Sequence, residues 1–324
     1  MIKYFFVLCT LTFLSLAFAW SGHEALTYLI VQDLPIKNRM VKITDYSYEE
    51  NRIYNQDYLV VKDVSGERAF FDPLGDGKFP PDPSPIDGFM LPVWQILTIY
   101  SPEPDNGMDE GLQLDFLQGL IGNSQGVRHM KYNLGFINAF QGDTSFIYFV
   151  EMSRQAFKQG DRYWGYRFLA RALHYAEDLS QPYHNAPGET GEVLWGIVDG
   201  NTRKILKNLH FLYDNYLVYL IYYSDDAARE TILGSKPAFL GDERQVINSI
   251  MNFARSKFEV VHFELKKAFG DLLKTNVEMK EISQIDNKGE LYILKGETLS
   301  ILSYTASVIK GFLLHFLKEV GEIN

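Results

Sequence analysis

The chain has 324 residues, 15% of them aromatic, with 31 Lys and Arg against 41 Asp and Glu and a formal charge of −10. That acidity excludes nucleic-acid backbone binding through a broad basic face, while leaving room for local basic patches. The single cysteine, Cys9, excludes a disulfide framework, and neither an internal repeat nor a glycine-rich nucleotide loop is present.

The first 19 residues hold Lys3, the uncharged run FFVLCTLTFLSLAFA and a small-x-small ending. They read as an export signal cut between Ala19 and Trp20, the run being short for a membrane span of roughly 20 residues. Residues 20–324 then form one exported domain, with its charge moved to −11 by the loss of Lys3 and with no thiol left. Such a domain must rest on its core or on metals.

Cleavage there gives Trp20 a free α-amino group, three residues before His23. That amine and its own carbonyl can chelate a metal in a five-membered ring, and the amine loses its proton near pH 8. The segment HEALTYLIVQDL from His23 to Leu34 has helical spacing, with Ala25, Leu26, Leu29, Ile30 and Val31 facing inward. Between Pro35 and Pro92 two short helix-like pieces precede a loop with six prolines, whose Asp72, Asp76, Asp82 and Asp87 fit no cation motif.

Asp105 and Asp109 lie in a turn-rich stretch before a helix predicted to begin near Leu112 and to carry Asp115. His129 follows the breaks at Gly122 and Gly126. Aspartates at a helix entry commonly serve as caps. The most informative segment is DRYWGYRFLARALHYAEDLSQPYHN, from Asp161 to Asn185. Its apolar residues recur at three- and four-residue steps behind an Asp161 N-cap, so it predicts a helix. His174 and Asp178 sit four apart on one face, and Pro182 stops the helix so that His184 folds back toward them. Imidazole nitrogen and carboxylate oxygen are the donors zinc takes at about 2.0 to 2.2 Å.

A second pair, His210 and Asp214, is again four apart on an amphipathic helix marked by Leu206, Leu209, Tyr213, Tyr216 and Leu217. Five of the seven histidines thus join one candidate cluster. The other two, His262 and His315, sit in apolar helices and read as packed or partly exposed structural residues. The helix after Asp242 is long, and so is the one beginning near Gly296, whose apolar run is interrupted by Lys310 and Gly311 and which carries too many polar residues for a membrane span. The class is all-α, a multi-helix single domain around a metal-bearing face.

The order Trp20, His23, His129, the HxxxDxxxxxH of His174, Asp178 and His184, then the HxxxD of His210 and Asp214 resembles the zinc-dependent phospholipase C and single-strand nuclease superfamily. The resemblance spans Trp20 to about Leu217 by motif. It implies an all-α hydrolase of phosphate esters with three zinc ions. By the same resemblance Trp20 and His23 would hold one ion, His129 and His174 a second, with Asp178 bridging the two; His184, His210 and Asp214 would hold the third. The family's early aspartate is matched by Asp105, with Asp109 and Asp115 as alternatives, since they lie 24, 20 and 14 residues ahead of His129. The context around Asn201 and His210 looks like the nucleases, whereas the compact His174 motif and the absence of mature cysteine look like the phospholipases.

Two ions bridged by a carboxylate lower the pKa of a bound water from about 15.7 to about 7 and draw charge off a phosphate. Asp105 is the candidate to orient or deprotonate that water. Three classes follow: an exported phospholipase C acting on phospholipid head groups, with transient membrane-surface contact and no obligate protein partner; a single-strand nuclease or nucleotidase; and a non-catalytic protein that zinc holds together. Nine candidate ligands exceed what a closed four-ligand structural site needs.

Overall fold

The computed structural model describes residues 22–48, 77–80, 90–109, 112, 114, 124–134 and 137–324. The leader, Trp20, Asp115 and most of the proline-rich loop lie outside the described residues. The chain is mostly helical, 70% helix against 3% strand, which makes the class all-α.

The helix read from Asp161 onward is the axis of the molecule. It runs as α5 (Arg162–Ser180), and every residue from Tyr163 to Ser180 is buried. Asp161 caps it by accepting the Trp164 amide, as its place ahead of the apolar repeat requires. Against it pack α2 (Val93–Tyr100), α4 (Gly142–Lys158) and α10 (Glu243–Phe269), which enclose a helix that few solvent-exposed positions interrupt. α1 (His23–Val31) lies on α2 and touches α5, and α12 (Tyr292–Glu319) packs along α10.

A helix buried on all sides cannot carry polar residues without partners. Arg167 and Arg171, one turn apart and fully buried, both bond to Glu103, Arg171 Nε at 2.6 Å. Arg167 also lies 3.9 Å over the Tyr100 ring. Removing a buried carboxylate from between two guanidinium groups leaves unpaired charge, so this triad fixes the stretch just ahead of Asp105.

Pro182 ends α5 and begins α6 (Pro182–Asn185), and the Gln181 side chain accepts from the Tyr183 and His184 amides. α7 (Thr190–Gly196) and α8 (Gly200–Val218) follow, α8 capped by Asp199 on the Thr202 amide at 2.8 Å. The sequence showed no succession of strands, yet two short antiparallel pairs form. β1 (Met40–Lys42) joins β2 (Met90–Pro92), in a region read as helix-like. β3 (Tyr132–Leu134) joins β4 (Ile137–Ala139) beyond α3 (Gln125–His129). Three-residue strands carry too little alternation to be visible in sequence.

α12 begins at Tyr292, ahead of the expected start near Gly296, and runs unbroken through Lys310 and Gly311. The Lys310 ammonium is buried, bonding Asp33 at 2.6 Å and the carbonyls of Ile232, Leu233 and Ser235 at the end of α9 (Ala227–Gly234). A Cβ at Gly311 would stand 1.9 Å from the Ala238 carbonyl oxygen. The two residues that interrupt the apolar run are therefore contacts with the end of α9 and the segment after it. His262 is buried against Tyr183 and Glu192, and His315 is exposed.

Candidate metal centre

Three groups of side chains converge beside α5: His23 with Asp105 and His174; His129 with His174 and Asp178; and His184 with His210 and Asp214. Within each group the ligand atoms lie within 4.8 Å of one another. Each histidine arrives on a different support. α1 supplies His23 at its first position, the end of α3 supplies His129, α5 supplies His174 and Asp178, α6 supplies His184, and α8 supplies His210 and Asp214.

Asp178 is the centre of the arrangement. Its Oδ2 lies 2.8 Å from His129 Nδ1 and 3.1 Å from His174 Nε2, and its Oδ1 lies 3.3 Å from His184 Nδ1 and 3.4 Å from His23 Nε2. Burial alone would push its carboxyl up, but the surrounding His174 and His184 rings, with the bond from His129, hold it well below the usual carboxylate range.

Asp105 sits in a single π-turn, Pro104–Met108, that Gly107 makes possible by taking φ 87°. Its Oδ1 lies 3.2 Å from His174 Nε2 and 3.4 Å from His129 Nδ1, and its Oδ2 lies 3.8 Å from His23 Nε2. Asp109, the alternative, stands on the opposite side of the same ring, 3.0 Å from His129 Nε2. It accepts from Tyr175 Oη at 2.6 Å and pairs with Arg128 Nε at 2.8 Å. The two aspartates thus divide the work: Asp109 anchors the ring and Asp105 shares its working face. A carboxylate behind a metal-ligating histidine fixes ring orientation and raises its basicity.

Two further residues escaped the sequence reading. Glu177 accepts His23 Nδ1 at 2.8 Å and Thr27 Oγ1 at 2.7 Å, so it orients His23 as Asp109 orients His129. Gln181 donates to Asp214 Oδ1 at 2.6 Å while capping α6, tying the His184 turn to α8. Glu177 did have a signal, since it shares the helical face of His174 and Asp178. Gln181 had none, because its partner lies 33 positions along the chain.

The donor set passes a test for cations. Ligands about 2.1 Å from one tetrahedral ion stand about 3.4 Å apart. His23–Asp178, His129–Asp105 and His210–Asp214 are separated by 3.4, 3.4 and 3.5 Å, wider than good hydrogen bonds and suited to a shared ion, while His129–Asp178 and His174–Asp178 stand closer, at 2.8 and 3.1 Å. Among the described residues, buried Asp178 Oδ1, both His184 nitrogens, His210 Nε2 and Asp214 Oδ2 have no hydrogen-bond partner. Buried polar atoms without partners cost about 1–3 kcal/mol each, so their convergence calls for a ligand.

The two histidines of the third group are already in the form that a metal takes. Burial pushes His184 down to about 4 and His210 well below its ordinary value, leaving neutral imidazoles ready to coordinate. Burial raises the Asp214 carboxyl well above its usual range, against the bond from Gln181. Burial would also lower His129, but Asp109 and Asp178 outweigh it and raise the ring to about 10. The site is closed to water on most sides and open at Asp105 and His210, whose side chains are 18% and 12% exposed.

The structure therefore gathers His23, Asp105, His129, His174, Asp178, His184, His210 and Asp214 into one centre that can hold metal ions. Trp20 and Asp115 fall outside the described residues. No protein-family model matches the chain, and no curated protein matches it.

Proposed function

We propose that this protein is an exported, zinc-dependent phosphodiester hydrolase. The observation that supports this most is the convergence of four buried histidines on Asp178, beside His184, His210 and Asp214 atoms that have no hydrogen-bond partner among the described residues. Imidazole and carboxylate together suit zinc, and several neighbouring sites suit a substrate with more than one negative oxygen. A closed structural site is the poorer reading, because structural zinc is fully enclosed by four ligands whereas Asp105 and His210 face an opening.

In this reading His23, His129, His174, Asp178, His184, His210 and Asp214 hold the ions, and Trp20 adds its amine and carbonyl. Bound there, zinc supplies Lewis-acid charge and a water acidic enough to act as a nucleophile near neutral pH. Asp105, the most exposed carboxylate of the set, orients the attacking water and accepts its proton at a carboxylate oxygen. Glu177 and Asp109 keep the His23 and His129 rings turned toward the centre. Phospholipid head groups and single-stranded nucleic acid remain the two substrate classes, and the ligand set alone favours neither.

The test is hydrolysis of bis(p-nitrophenyl) phosphate, dihexanoylphosphatidylcholine and single-stranded DNA by zinc-loaded mature protein, beside protein stripped with chelator. Zinc-dependent release from any of them, with about three ions per chain, supports the reading. A stoichiometry of one or less, with no hydrolysis, rejects it.

A further inference from the structure

Carboxylates hold the His23 and His129 rings from behind, Glu177 for the one and Asp109 for the other. The third group is supported in another way. Among the described residues neither nitrogen of His184 has a hydrogen-bond partner, and His184 rides on α6, a single turn of four residues. One turn has little stability of its own, so its neighbours must set where it points.

Tyr183, the residue before His184, makes that contact. It is fully buried, with its ring 5.3 Å from that of Phe258, 6.0 Å from that of Tyr213 and 6.2 Å from that of His210, the last at an interplanar angle of 27°. Its hydroxyl lies 3.0 Å from His262 Nδ1 on α10, and His262 Nε2 lies 2.7 Å from Glu192 Oε2 on α7. The nitrogen that faces a carboxylate keeps the ring proton, so Nδ1 accepts from the phenol. Lys266 pairs with the other oxygen of Glu192. A polar row thus runs inward from Lys266, 42% exposed, through Glu192 and buried His262 to Tyr183 and the His210 ring. An apolar side chain would fill the space of His262 without the cost of burying an imidazole, so the ring answers to its two partners.

We propose that His262, held by Glu192, is a positioning residue for the third metal group: it fixes the Tyr183 ring, and through that ring the turn that carries His184 and the seating of His210. This rests on the reading of His184, His210 and Asp214 as ligands, and it adds Tyr183, Glu192 and His262 as support that meets no ion itself.

The experiment titrates metal-free mature protein with zinc against a chromogenic chelator that resolves successive binding steps, with the melting temperature of each metal-free form read alongside. The forms are native protein, His262→Leu, His262→Gln, Tyr183→Phe, His210→Ala, and His210→Ala combined with His262→Leu. The step that His210→Ala removes belongs to the third group. In His262→Leu that step is expected to weaken by about 10- to 100-fold while the others hold. Tyr183→Phe, which takes away only the hydroxyl, should weaken the same step. His262→Gln should restore it, because the amide offers an acceptor to Tyr183 and a donor to Glu192. In the His210→Ala background His262→Leu should change no remaining step. A residue serving stability alone would lower the metal-free melting temperature and leave every step in place, and that result overturns the proposal. So does a weakening shared by all steps, or one that His262→Gln does not restore. Native protein with no step that His210→Ala removes rejects the ligand reading, and the proposal with it. Zinc binding is read without any diester, so failed hydrolysis counts against the phosphodiesterase reading alone.

Discussion

Replacing Asp178 with asparagine tests the centre where its geometry is most demanding. The two oxygens of this carboxylate face different partners, Oδ2 toward His129 and His174 and Oδ1 toward His184 and His23, all within 3.4 Å. An amide has one oxygen and one donor NH2. Whichever way the new side chain turned, one group would keep a neutral oxygen while the other met a donor that cannot ligate. Loss of a ligand or of its support typically costs about 10- to 100-fold in metal affinity or activity. Acting on two groups at once, Asp178→Asn is expected to lower hydrolysis by about 10²- to 10⁴-fold and to remove at least one ion. The assay follows initial rates on bis(p-nitrophenyl) phosphate and bound zinc at buffered free-zinc concentrations, with far-ultraviolet circular dichroism to confirm that the helices persist. Zinc content and rate within two-fold of native, at the same free zinc, would refute a shared role for Asp178.

Three other outcomes are expected. One alanine added ahead of Trp20 replaces the terminal amine with a peptide nitrogen, a very poor ligand at neutral pH, and should lower zinc content by one ion and activity by about 10- to 100-fold; equal values would mean that the site begins at His23. Metal-free protein should lose stability as pH rises from about 6.5 to about 10. In that window folded His129 keeps a proton that the unfolded chain has released, and buried Asp214 adds to the slope from about pH 4 upward. Urea midpoints measured across pH, flat in zinc-loaded protein and falling in stripped protein, would bear this out, and a rising midpoint would contradict it. Glu103→Gln leaves two buried guanidinium groups without their counter-charge and should cost about 3 to 5 kcal/mol, roughly 6 to 15 °C in melting temperature; an unchanged melting temperature would show that the triad contributes nothing.

What could be read from the sequence was what is local. His174 and Asp178, or His210 and Asp214, are one helical turn apart, so spacing alone places each pair on a common face. Pro182 made the return of His184 readable as well. The choice among Asp105, Asp109 and Asp115 was not readable, because a π-turn has no sequence period and because two of these aspartates serve one ring from opposite sides. The buried Arg167, Glu103 and Arg171 triad was hidden for a related reason. On a helix the arginines look like a solvated stripe until the packing of α2, α4 and α10 shows that no solvated side exists. Why Lys310 and Gly311 interrupt an apolar run was not readable, because their partners, Asp33 and Ala238, are distant in sequence.

Glu322 bonds Arg39 at 2.6 Å, Arg162 at 2.8 Å and the Tyr166 hydroxyl at 2.7 Å. The last two stand on the opening turns of α5, 160 and 156 positions earlier in the chain. During synthesis α5 can coil as soon as it has been made, with its entry held by Asp161, Thr44 and Tyr48, but these last bonds wait until Glu322 has followed. For a chain delivered through a membrane in extended form, the helix that carries His174 and Asp178 would thus gain the last of these bonds only after Glu322 had crossed.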